Sequence, residues 1–363
     1  MAVSRTKRRA DAPARRTPAV PVPNTPISPA PRGGDAINWL NAGLMILACG
    51  AAIVAPFHVF LLAYAVLGPL HYLTEISWLH DRNYFTRREV PRRWWLALVG
   101  FAIIVLAFGY ISNDLLHKPV PPTFEIGLVY LVFGAAAVAI YVSRGFNATL
   151  ILLALSAGLV IWSGAQAYAV TAYFLVTIVH VFIFTGAFVF YGALKTRSRV
   201  ALLTLAVFLA CAIATVTIRM PFAAPSGRVR ELYEGFEQLN GALLRFFGLP
   251  GRIYEPSGAA VMRLIAFAYL YHYLNWFSKT SVIKWHEVSG LRIGAILAGW
   301  AAGEAVYLYD FRMGFALFYV LSMLHVLLEF PLNHQTFVDI AKALRAGRWR
   351  AEAKTAPAAS LLG

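Results

Sequence analysis

The chain has 363 residues, 59% of them hydrophobic and only 13% charged, with a formal net charge of +15 and a mean hydropathy of +0.63. A soluble domain carries about 25% charged residues, so this composition excludes an ordinary soluble enzyme and predicts an all-α, polytopic membrane bundle. The basic balance does not signal nucleic acid, because no nucleic-acid motif is present and the first 35 residues lack aromatics for base stacking.

Residues 1–35 are rich in Pro, Ala and Arg and predict a disordered cytoplasmic tail. No apolar stretch follows Arg5–Arg9 in the manner of a signal peptide; a transit peptide is the alternative reading of this Arg-rich, acid-poor segment. A spanning helix needs roughly 20 mostly apolar residues. Ten segments qualify, at 36–55, 57–80, 94–112, 124–143, 148–164, 169–194, 200–218, 259–279, 291–309 and 312–335. They define a transmembrane domain over residues 36–340, followed by a cytoplasmic tail at 341–363. Pro56 separates the first two with almost no loop. The longest connection, 219–258, places Leu232, Phe236, Leu239, Leu243 and Phe246 at helical spacing and reads as an amphipathic helix on the extracytoplasmic membrane surface. Cys49 and Cys211 lie in apolar runs and read as small buried residues rather than a disulfide framework.

With the N-terminus in the cytoplasm, 24 of the 32 Lys and Arg fall on the inner side. That bias sets both termini inside, as in a multi-pass protein of a bacterial inner membrane. It also accounts for the basic balance, since such charges meet anionic lipid.

Ionisable residues within apolar spans are expensive and mark function. The spacing H-x3-E-x4-H occurs twice, as His71–Glu75–His80 (HYLTEISWLH) and His325–Glu329–His334 (HVLLEFPLNH). His180 and His272 sit in two further spans. The four histidines His71, His180, His272 and His325 each lie on an even-numbered span, 11 to 14 residues from its start. At about 1.5 Å rise per residue, they occupy one layer roughly 5 Å thick. Glu75 and Glu329 fall one turn beyond His71 and His325. Imidazole and carboxylate together suit iron, manganese or zinc, with the carboxylates either binding the metal or fixing a histidine tautomer. Asn275, one turn beyond His272, is a candidate hydrogen-bond partner of that ligand. A second tier of His80, His286 and His334 lies at the cytoplasmic ends, where headgroup or salt-bridge roles compete with ligation. Pro331 predicts a break in the last helix before His334. His58 and His117 read as structural, and Glu304 as a buried acid paired with Arg312 or Arg263.

Four short stretches resemble the Brp/Blh-type membrane β-carotene dioxygenases. GPLHYLTE (68–75) is similar to that family's early GLPHGxxD element, and MLHVLLEF (323–330) to its late PHxxxxD helix. IVHVFIF around His180 and YLYHYLNWF (269–277) are looser matches. The HFGxxD element has no clear counterpart. The resemblance implies non-haem iron held by His71, His180, His272 and His325, an apolar polyene substrate and O₂. The expected function is therefore a metal-dependent membrane oxidoreductase acting on a lipid or isoprenoid. Zinc or haem are alternative cofactors. A proton-coupled transporter or a haem-binding electron carrier are alternative functions.

Overall fold

The computed structural model describes residues 33–82, 92–121, 124, 175–221 and 224–346. Among these residues every regular element is helical. Helix α1 spans Gly33–Val54. Helix α2 follows after one residue and has Pro56 in its first turn, where a missing N–H costs nothing. It runs through Pro56–Leu62, a π-helical turn at Ala63–Leu67 and Gly68–Arg82. Helix α3 is Arg92–Tyr110. Helix α4 is π-wound over Leu175–Phe184 and α-helical over Thr185–Thr196. Helix α5 (Arg199–Thr217) starts at Ser198, whose side chain caps the backbone N–H of Ala201. Short helices α6 (Gly227–Tyr233) and α7 (Glu237–Phe246) lead to α8 (Pro256–Ser278), α9 (Gly290–Tyr309) and α10 (Phe311–Arg345).

Among the described residues, six helices are long and apolar enough to cross a membrane: Asp35–Val54, Pro56–Asp81, Val179–Thr196, Arg199–Thr217, Gly290–Tyr309 and Phe311–Glu329. The expected spans at 94–112 and 259–279 are helical as well, as α3 and α8. Helix α8 is less apolar because Arg263, His272 and Asn275 interrupt it, and it lies inside the bundle against α1, α2, α4, α5 and α7. Apart from Phe124, the expected spans at 124–143 and 148–164, and the start of 169–194, lie outside the described residues. So do the tail at 1–32 and residues 347–363.

Three expectations change. Pro331 does not end the last helix; α10 continues unbroken for 35 residues, to Arg345. Proline in a long helix is tolerated where neighbours support the freed carbonyl. At about 1.5 Å per residue α10 is roughly 52 Å long, well beyond a bilayer core of about 30 Å. Secondly, the 219–258 connection packs much of its apolar face on protein: Phe236, Leu239 and Leu243, with Tyr233, are buried against the bundle, whereas Phe246, Phe247 and Leu249 are exposed. Phe60 meets the Phe236 ring edge-on at 4.8 Å, so α6 and α7 cap one end of α2 and α8. Thirdly, Arg263 does not pair with Glu304. Its guanidinium donates to the carbonyls of Ile53, Ile218 and Met220.

The packing fixes the site. Helix α2 lies against both α8 and α10, and α4 lies against both as well. These four helices form a closed ring, and each carries one of the four layer histidines.

Candidate metal centre

All four layer histidines are buried, with exposures of 1% for His71, 1% for His180, 9% for His272 and 2% for His325. Their rings meet in the order of the helices. Centroids are 4.8 Å apart for His71–His272, 5.2 Å for His272–His180, 5.0 Å for His180–His325 and 5.3 Å for His325–His71. Nε2 of His71 lies 3.1 Å from Nε2 of His272, and Nε2 of His180 lies 3.1 Å from Nε2 of His325. Ring nitrogens of His71, His272 and His325 all lie within 4.8 Å of one another. His180 closes the square from the side opposite His71.

These spacings fit a cation. Metal–imidazole bonds of about 2.0–2.1 Å set neighbouring nitrogens about 3.0 Å apart at octahedral cis positions and about 3.4 Å apart in a tetrahedron. The observed 3.1 Å lies between them. Charge balance points the same way. Glu75 and Glu329 are 1% and 4% exposed. Among the described residues their ion-pair partners are imidazoles only. Two buried carboxylates and one divalent cation are together neutral, which relieves the desolvation cost each charge meets alone.

The two glutamates do not occupy equivalent places. Glu75 Oε2 lies 3.0 Å from His71 Nε2, the same nitrogen that faces His272. It therefore borders the central space. Glu329 reaches across to α4 and meets His180 Nδ1 at 3.2 Å, behind the ring. Asn333, one turn further along α10, donates to Glu329 Oε2 at 3.0 Å. Carboxylates placed behind a histidine in this way orient the ligand.

A shell of aromatic and hydroxyl groups holds the layer. Tyr72 stacks on His325 at 4.3 Å, and its hydroxyl meets that of Tyr273 at 2.7 Å. Trp276 packs on His71 and donates its indole N–H to Thr74 at 3.0 Å. Thr74 in turn donates back to the carbonyl of Leu70 on its own helix. Thr185 Oγ1 lies 2.9 Å from His272 Nδ1. Asn275 does not take that place; it lies against the Tyr271 hydroxyl at 3.4 Å.

Of the second tier, His80 and His286 do not join the layer. His80 is half-buried at the end of α2, and its neighbour Asp81 pairs with Arg292. His286 is exposed beside Trp285. His334 lies on α10, and its side chain is outside the described residues. His58 and His117 are exposed, away from the layer, and His117 turns the chain with φ 52°. Sequence reasoning missed Thr185, Tyr72, Trp276 and Asn333. Only Asn333 carried a signal, its i+4 spacing from Glu329.

No protein-family model, curated protein or solved structure matches the chain. The site therefore rests on its own geometry.

Proposed function

We propose that the protein is an integral-membrane, metal-dependent oxidoreductase, with iron the favoured metal, acting with O₂ on an apolar lipid or isoprenoid. The observation that carries this reading is the closed square of four buried imidazoles with Glu75 at its edge, set in apolar helices. His71, His180, His272 and His325 would hold the metal, Glu75 would complete or border its coordination, and Glu329 would orient His180. A metal held by nitrogen and one carboxylate supplies a site for O₂ and a Lewis acid. The buried rings of Tyr72, Tyr273 and Trp276 pack on His71 and His325 and would keep bulk water from the metal. Non-haem coordination is favoured over haem, because imidazole nitrogens 3.1 Å apart leave no slot for a macrocycle between them.

The excess of Lys and Arg on one side supports an orientation with both termini in the cytoplasm, as in a bacterial inner membrane. The test of function is oxygen uptake by iron-loaded protein in lipid nanodiscs, titrated with long polyenes and saturated lipids. Uptake that depends on both iron and an apolar substrate supports the reading. A proteoliposome that moves protons with no bound metal would replace it with a His/Glu proton relay.

A further inference from the structure

We infer that Thr185 is a positioning residue that fixes the tautomer of His272, making it the pre-set ligand of the centre, while His71 must change tautomer when a cation loads. The inference rests on the metal reading above and deepens it.

The chain of donors decides the argument. Thr185 Oγ1 lies 2.7 Å from the backbone carbonyl of Val181, an acceptor only. A hydroxyl has one proton, and that proton is committed to Val181. Toward His272 Nδ1, at 2.9 Å, the Thr185 oxygen therefore accepts, and Nδ1 carries the hydrogen. A neutral imidazole has one N–H, so Nε2 of His272 presents a bare lone pair to the central space. The partner at 3.1 Å is Nε2 of His71. Two lone pairs do not face each other at that distance, so without a metal His71 carries its proton on Nε2. Its Nδ1 is buried with no hydrogen-bond partner, so no acceptor there competes for the proton. A cation in the square needs the His71 Nε2 lone pair. Loading therefore moves the His71 proton to Nδ1 or releases it, whereas His272 changes nothing.

The fold explains the placement. Thr185 directly follows the π-wound segment Leu175–Phe184 that carries His180. The i→i+5 bonding of a π-helix brings residues five apart toward one side. His180 and Thr185 thus both face the ring interior, which plain α-helical spacing would forbid.

The experiment uses full-length protein in nanodiscs with ¹⁵N-labelled histidine, read by NMR with and without Zn²⁺, and Zn²⁺ and Fe²⁺ affinities measured by chelator competition. In wild type, His272 is the Nδ1–H form with and without Zn²⁺, and the His71 signal changes form on loading. Thr185→Val keeps the shape but removes the acceptor. It should mix the His272 tautomers and weaken metal binding by about 10–100-fold, and Thr185→Ser should restore both. If Thr185→Val leaves His272 in the Nδ1–H form and affinity within twofold of wild type, the assignment of Thr185 is overturned while the metal reading stands. If wild type binds neither ion, the metal reading itself falls.

Discussion

Replacing Arg263 tests the scaffold that carries His272. Arg263 is 4% exposed on α8. Its Nε donates to the Ile53 carbonyl at 3.1 Å, Nη1 to Ile218 at 3.0 Å and Nη2 to Met220 at 3.3 Å. Ile53 lies in the last turn of α1, and Ile218 directly follows α5. One guanidinium thus ties two helix C-termini, where carbonyls carry partial negative charge, to the central helix. Hydrogen bonds to a charged group are worth about 1.5–3 kcal/mol each. Three of them are offset by a desolvation cost of several kcal/mol for the buried cation. Arg263→Met should therefore destabilise by about 2–4 kcal/mol, and Arg263→Lys by less, since a point charge reaches fewer carbonyls. The assay is reversible unfolding in mixed micelles by denaturant. Arg263 lies nine residues from His272, roughly 13 Å along the helix, so metal per folded molecule should not change. An Arg263→Met protein as stable as wild type would refute the reasoning.

Other predictions follow from single contacts. Glu75 borders the central space and Glu329 stands behind His180, so Glu75→Gln should weaken Zn²⁺ binding more than Glu329→Gln, whose effect should be about 10–100-fold. Equal losses by chelator competition would contradict the asymmetry. A methyl group on Gly314 would meet the backbone of Tyr307, so Gly314→Ala should force α9 and α10 apart and lower the thermal midpoint, whereas Gly294→Ala, with open space at its Cβ, should not.

The histidine layer was legible because its signal is one-dimensional. Helical rise turns residue number into depth, and i,i+4 spacing places Glu75 and Glu329 beside the layer. What sequence could not resolve was azimuth. The two H-x3-E-x4-H motifs look equivalent, yet Glu75 turns to its own His71 while Glu329 crosses to His180 on α4. Rotation about each helix is set by tertiary packing, which spacing does not encode. The π-winding around His180 shifts phase with no sequence mark, and so Thr185 stayed hidden. Asn275 carried the expected spacing from His272, but the Tyr271 hydroxyl occupies it. The 219–258 segment showed its apolar face plainly. Whether lipid or protein would cover that face depended on α2 and α8 lying beneath it.

The central claim is that one cation sits among His71, His180, His272 and His325. Elemental analysis of the purified full-length protein, wild type beside the four single alanine variants and His58→Ala, tests it most directly. The account predicts about one transition-metal ion per wild-type chain, retained in His58→Ala and largely lost in each of the four layer variants. Full occupancy in both His71→Ala and His325→Ala, or no bound metal in wild type after loading with Fe²⁺ or Zn²⁺, would contradict it.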